Sequence, residues 1–139
     1  MPQPTIGIIG AGQLALMMFE ASLRLPLRVR VLGADPQDPA VRVAAGAVVG
    51  DHRDRDTLRA FAEQVDILTF DHELIDLALV EELEQFGHVV RPGSRALAVA
   101  VDKSAQHEAF LATGIATPPT TVARGADELR ATAAAMGFP

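Results

Sequence analysis

The sequence predicts an α/β fold in which a mainly parallel sheet of five strands carries helices on both faces. Short apolar runs rich in Ile and Val recur between residues 5 and 91, and segments of helical period separate them. Turns rich in glycine, proline and aspartate punctuate the pattern. Strands without an alternating polar face are typical of parallel sheets, whose strands are joined by right-handed helical crossovers.

The strongest local signal is the stretch from Thr5 to Ala15. A strand ends at Gly10 and Gly12, and a helix is expected from about 13 to 25. The spacing Gly-x-Gly-x-x-Ala matches a dinucleotide fingerprint, and Asp35 follows the next apolar run, where that fingerprint places a ribose-binding acid. Such a turn brings bare backbone and helix N-terminal amides to an anion. The alternative is that the glycines only allow close packing of the helix on the strand.

The remaining elements of this sheet follow from apolar periodicity, helix caps and turn residues. Arg28 and Arg30 alternate with apolar residues and are interpreted as the exposed end of the second strand. Gly87 is the expected stop of the last helix before the fifth strand. In chain order we expect a strand at 27–32, a short helix at 39–45, a strand at 47–49, a helix capped by Asp54 or Asp56, a strand at 67–70, a helix at 76–86 and a strand at 88–91.

Parallel strands bring their carboxyl ends to one edge of the sheet, which is where open α/β sheets bind ligands. The residues expected at that edge are Gly10 to Leu14, Asp35, Asp51 and the acidic tip Asp71-His72-Glu73. The four histidines show no metal-ligand spacing, so each is interpreted as a surface or structural residue and no metal site is expected.

The pattern changes near residue 99, and two domains are expected, at 1–98 and 99–139. In the second region a helix at 102–113 stops at Gly114, a proline-rich segment leads to a short strand at 120–122, and a helix capped near Asp127 spans 125–136. These pieces cannot enclose a core of their own. We therefore expect the opening of a second domain whose remainder lies beyond Pro139.

Composition narrows the function classes. The net charge of −6, from 12 basic and 18 acidic residues, argues against nucleic-acid binding. The absence of cysteine excludes disulfides and thiolate metal sites. No apolar run is long enough for a membrane span, and the first residues do not resemble a signal peptide. A cytoplasmic protein is expected, and the sequence leaves open whether it forms a homodimer.

A family resemblance rests on several motifs in order. The chain resembles the N-terminal part of the N5-carboxyaminoimidazole ribonucleotide synthetases, ATP-grasp enzymes of purine biosynthesis. The motifs are Gly10 to Ala15, Asp35-Pro36, Pro39-Ala40, Val43-Ala44, Val49-Gly50-Asp51, Asp66 to Glu73, Asp102-Lys103, Gly114-Ile115 and Thr117-Pro118-Pro119. Leu16, Leu74 and Val101 depart from the family, which commonly has arginine, asparagine or histidine, and glutamine there.

The resemblance implies a Rossmann-like (pre-ATP-grasp) domain followed by the start of an ATP-grasp domain. It implies a ligase that uses ATP, Mg²⁺ and bicarbonate to carboxylate 5-aminoimidazole ribonucleotide, through carboxyphosphate. The turn Gly12-Gln13-Leu14, with Gly10, would face this substrate, and Glu73 would lie close to the aminoimidazole. Lys103 would approach ATP. No catalytic residue is expected within these 139 residues, and the chain alone should be inactive.

Other interpretations remain open at the level of sequence. The chain could be the dinucleotide-binding module of an oxidoreductase, or a Rossmann-like domain without catalysis. Asp35 is also the residue type expected to form a turn, Glu73 could be a solvated residue at a strand end, and Lys103 a surface residue.

Overall fold

The computed structural model describes residues 3–137. Within this part the chain forms four strands and six helices. In chain order they are β1 (Thr5–Ile9), α1 (Gln13–Ser22), β2 (Arg28–Gly33), β3 (Ala47–Val49), α2 (Arg55–Ala62), β4 (Ile67–Phe70), α3 (Leu77–Gln85), α4 (Ser94–Val101), α5 (Lys103–Ala112) and α6 (Ala126–Met136).

The sheet is parallel throughout, with the strand order β3-β2-β1-β4. In register, Thr5 lies beside Arg28 and Ile9 beside Leu32, and β4 flanks β1 on its other side, with Ile9 beside Phe70. The predicted α/β class and parallel sheet are confirmed. All four strands end at the same edge.

The prediction of five strands was wrong by one. The segment 88–91 meets β4 only through a single parallel bridge between Leu68 and Val90. The amide of Arg91 still donates to the carbonyl of Leu68, at 2.8 Å. The chain then bends at Pro92 and enters α4 at Ser94, so the pairing ends after this contact.

Each face of the sheet covers a core of buried side chains. On one face, Ile9 and Leu32 pack with residues of α2, α3 and α4, including Phe61, Val80 and Leu97. The opposite face buries a second set against α1 and the segment before β3: Ile8, Ala11, Ala15, Val31, Ala40 and Ala44. Alternate residues of β1 and β2 therefore serve different cores, as expected for a sheet covered on both sides.

Three further local predictions were wrong. The segment 39–45 forms hydrogen-bonded turns, because the amide of Ala40 donates to Ala11 of the first crossover and too few residues remain before β3 for a helix. Helix α1 ends at Ser22, whose hydroxyl donates to the carbonyl of Phe19 at 2.6 Å and so competes with the helical bond. Residues 120–122 are not a strand, since they have no strand to pair with in the described part of their unit.

The chain divides into two compact units, Met1–Val101 and Asp102–Pro139. In the second unit, α5 is capped by Asp102, whose carboxylate accepts the amides of Ser104 and Ala105. Gly114, at φ +74°, follows this helix as predicted. Helix α6 is preceded by Gly125 rather than capped by Asp127. The expected division at residues 98 and 99 stays a prediction.

Candidate functional site

A cleft of about 210 Å³ lies at the edge of the sheet where the parallel strands end. It is lined by Gly10, Ala11, Gly12, Leu32, Gly33, Ala34, Asp38, His52, Asp71 and His72. These residues come from the carboxyl ends of all four strands and from the turns that follow them. The first crossover turn and the acidic tip, which the sequence placed at one edge, therefore do meet.

Gly10 makes the bend between β1 and α1. Its φ is +108°, which L side chains rarely adopt, and its amide donates to the carbonyl of Leu32 at 2.9 Å. A Cβ at this position would overlap the carboxylate of Asp71. Glycine is required here by the backbone conformation and by the close approach of Asp71.

Asp71 turns inward from the end of β4. Its side chain is 5% exposed, and its Oδ2 accepts the amide of Gly12 at 3.3 Å. Its Oδ1 is buried without a hydrogen bond in the described part of the chain. The positive end of the α1 dipole stabilises this carboxylate. The turn at Gly12 was expected to bind an anion through its backbone amides. The protein itself occupies part of this anion site, because the amide of Gly12 is already bonded to Asp71.

The next two amides of this turn, those of Gln13 and Leu14, are available to a ligand. Helix α1 begins at Gln13 with no side-chain cap from Gly12. The amides of Gln13 and Leu14 make no hydrogen bond within residues 3–137, and both residues are exposed. Two donors at the positive end of a helix are suited to an anionic group.

Two histidines form one side of the cleft. The sequence analysis placed His72 at this edge but gave neither His72 nor His52 a role in a site. Nε2 of His72 lies 3.5 Å from Oδ1 of Asp71, while Nδ1 accepts the amide of Leu74 at 3.1 Å. A neutral His72 therefore carries its proton on Nε2, which faces the carboxylate. The His52 ring lies 5.5 Å from the His72 ring. His52 directly follows Asp51, as His72 follows Asp71, so the edge argument that selected the acidic tip could also have found His52.

Asp51, at the end of β3, is paired locally. The guanidinium of Arg53 donates to both carboxylate oxygens, at 3.1 and 3.2 Å, and the Arg53 amide adds a bond of 2.9 Å. These hydrogen bonds hold the pKa of Asp51 below its usual value. Asp51 is therefore a charged residue of the edge whose charge is compensated by its neighbour.

The other predicted site residues lie outside this cleft lining. Asp35 is exposed in the turn after β2, where its Oδ1 accepts the amide of Gln37 at 2.7 Å, so it acts as a turn former. Glu73 is exposed in the turn after β4. Lys103 is the first residue of α5, in the second unit. The roles proposed for these residues toward a ligand stay predictions.

Comparison with known proteins identifies the family. The model of the ribonucleotide synthetase preATP-grasp domain matches residues 3–101. The chain belongs to this preATP-grasp family. It is 37% identical over 136 residues to the N5-carboxyaminoimidazole ribonucleotide synthase of Mycobacterium tuberculosis, a match that covers 98% of this chain and 32% of that protein. The chain thus spans about a third of the length of the curated relatives it matches.

Solved structures agree with this assignment. The N5-carboxyaminoimidazole ribonucleotide synthetase of Thermotoga maritima superimposes with a TM-score of 0.82 at 30% identity, covering 99% of this chain and 37% of that one. The synthase of Aspergillus clavatus, in complex with ADP and 5-aminoimidazole ribonucleotide, gives a TM-score of 0.83 at 29% identity with the same coverage. The chain therefore shares its fold with about a third of each synthetase, and the preATP-grasp model accounts for residues 3–101 of it.

No helix in residues 3–137 is long and apolar enough to cross a membrane. No group of three or more His, Asp or Glu residues in the same part of the chain is arranged to hold a metal ion.

Proposed function

We propose that this preATP-grasp domain holds the ribonucleotide substrate of a longer ATP-dependent ligase. The reaction is the carboxylation of 5-aminoimidazole ribonucleotide by bicarbonate, which gives N5-carboxyaminoimidazole ribonucleotide in purine biosynthesis. The observation that carries the proposal is family membership over residues 3–101. It is supported by the relative of known structure that binds 5-aminoimidazole ribonucleotide together with ADP. We place the protein in the cytoplasm, because these substrates are soluble metabolites.

The substrate monophosphate is assigned to the first turn of α1. Gln13 and Leu14 offer outward amides, whereas the amide of Gly12 is already bonded to Asp71. Gly12 carries no side chain between these amides and the cleft at the strand ends. The ribose and aminoimidazole then extend from the helix into that cleft, toward its two histidines. The sequence analysis expected the substrate at the turn Gly12-Gln13-Leu14. This assignment leaves the amide of Gly12 out and keeps those of Gln13 and Leu14.

The cofactor is assigned to the remainder of the ligase. ATP supplies the phosphoryl group that activates bicarbonate. Within the described part of the chain, only Lys103, on the exposed first turn of α5, is proposed to approach ATP. Mg²⁺ is proposed to bind together with ATP in the remainder of the ligase. The contribution of this chain is to bind and orient the ribonucleotide.

The test places a negative charge where the phosphate is expected. Leu14 is 59% exposed, so Leu14→Glu and Leu14→Gln should both fold, and they differ only in charge. A glutamate in the first turn stabilises a helix, which separates lost binding from lost folding. Calorimetry with 5-aminoimidazole ribonucleotide should show at least about tenfold weaker binding for Leu14→Glu than for Leu14→Gln.

Two results would contradict the proposal. If the two variants bound the aminoimidazole ribonucleotide with equal affinity, its phosphate would not lie at the first turn of α1. Binding of NADH by the unmodified chain, without binding of the aminoimidazole ribonucleotide, would favour a dinucleotide-binding module instead.

A further inference from the structure

A second cleft, of about 450 Å³, lies at the opposite edge of the sheet, where the strands begin. Its lining consists of Thr5, Arg28, Val29, Arg30, Ala45, Gly46 and Gln64. Sequence reasoning interpreted Arg28 and Arg30 only as marks of an exposed strand end. The ligase reaction assigned to the carboxyl edge uses neither residue.

The register of the sheet brings the polar side chains of this cleft to one face. Thr5 lies beside Arg28 and Gly7 beside Arg30, and alternate residues of a strand share a face. Ile9 and Leu32, the next residues of these two series, belong to the core under α2. The hydroxyl of Thr5 and the two guanidinium groups therefore lie on the side that carries α2. Gln64, just beyond the end of α2, completes the lining.

Arg30 has an unmet hydrogen-bonding requirement. Its Nε is buried and has no partner among residues 3–137. The chain passes directly over the stem of this side chain, since a Cβ on Gly46 would lie only 3.0 Å from Cγ of Arg30. The guanidinium is thus held by packing in a place where it donates to no protein group. Buried polar groups normally have a partner, so this donor calls for one.

Neither arginine is paired with a carboxylate in the described part of the chain. Neither Arg28 nor Arg30 forms an ion pair or a side-chain hydrogen bond within residues 3–137. The nearby Asp66 uses its Oδ2 to accept the amide of Thr5 at 2.7 Å. Two unpaired arginines in a protein of net charge −6 are therefore concentrated at one concave place.

We propose that this cleft is an anion site that binds a phosphate group between Arg28 and Arg30. The planar guanidinium donates in pairs to phosphate oxygens, and the buried Nε of Arg30 gains the acceptor it lacks. The hydroxyl of Thr5, which also lines the cleft, supplies a further donor. The site lies at the other end of the strands from the α1 amides, so it is separate from the proposed substrate site.

The probe is inorganic phosphate, titrated at constant ionic strength into the ¹⁵N-labelled chain. The Nε–Hε signal of Arg30 should shift and saturate. Arg30→Gln and Arg28→Gln should each weaken the phosphate affinity measured by calorimetry at least about fivefold. Arg24→Gln removes the same charge from an exposed position after α1, and it should leave the affinity unchanged.

A crossed control separates the two anion sites. Leu14→Glu should abolish any phosphate response at the α1 amides and leave the Arg30 response intact. If the phosphate binding measured by calorimetry is lost in Leu14→Glu but kept in Arg30→Gln, the phosphate binds at the α1 amides and not at Arg30. That result would overturn the second site while leaving the proposed function standing. A non-saturating Arg30 shift would also overturn it. So would a shift that follows protein concentration rather than phosphate, because the arginines would then pair with an acidic side chain of a second copy.

Discussion

Replacing Gly10 with alanine should destabilise the fold far more than an exposed Gly→Ala change. An L residue at φ +108° costs about 1–2 kcal/mol. The new Cβ would also displace the carboxylate of Asp71 from the amide of Gly12, and a hydrogen bond to a charged group contributes about 1.5–3 kcal/mol. The expected loss is the sum, about 2.5–5 kcal/mol, which is a large part of the total stability of a small domain.

The measurement is urea unfolding followed by far-UV circular dichroism, with Gly12→Ala as the matched control. Gly12 has φ −72°, and a Cβ there would lie 3.5 Å from Asp71 Oδ2, which is an ordinary contact. Its free energy of unfolding should stay within about 1 kcal/mol of the unmodified chain. The two variants make the same chemical change two residues apart, so their difference isolates the geometry at Gly10.

A double-mutant cycle tests the physical reason. Asp71→Ala removes the carboxylate that the new Cβ would overlap. In that background, Gly10→Ala should lower the free energy of unfolding only by the cost of the backbone conformation, about 1–2 kcal/mol. The same cost in both backgrounds would refute the argument that Asp71 and Gly10 are coupled. A loss below about 0.5 kcal/mol for the single variant would refute the backbone argument as well.

Three further predictions concern the scaffold around the site. Phe61→Ala should lower the free energy of unfolding by about 3–5 kcal/mol in the same urea experiment, since the ring is 1% exposed within the core. Glu84→Ala should cost about 1–3 kcal/mol and increase amide exchange at the start of α4, because Glu84 accepts the amide and the hydroxyl of Ser94, at 3.1 and 2.6 Å. Hydrogen bonds from Thr57 hold the pKa of Asp54, the cap of α2, below its usual value. A lowered folded-state pKa stabilises the fold above the unfolded-state pKa, and this stabilisation disappears as the pH falls through the folded-state pKa. The melting-temperature difference between the unmodified chain and Asp54→Ser should therefore shrink with acidification, and a constant difference would contradict the assignment.

Family motifs and local patterns predicted most of the fold. Strands β3 and β4 have the predicted bounds, and the stop at Gly87 is confirmed by its φ of +89°. These features depend on residues close in sequence, such as an apolar run and a glycine in the left-handed region. The fifth strand failed as a prediction because pairing depends on partners. Residues 88–91 have strand-like composition, but only Val90 bridges to β4.

The candidate site was predicted only in outline for a similar reason. The sequence by itself determined that the strands are parallel and that the glycine turn and the acidic tip share one edge. Only the tertiary structure decided that Asp71 folds inward onto the amide of Gly12 and leaves the amides of Gln13 and Leu14 without a protein acceptor in the described part of the chain. It also decided that Glu84 of α3 accepts the first amide of α4, and that Gly46 packs against the stem of Arg30, whose Nε is buried. Local propensity follows neighbours along the chain, whereas these contacts depend on how crossovers of given length bring distant residues together.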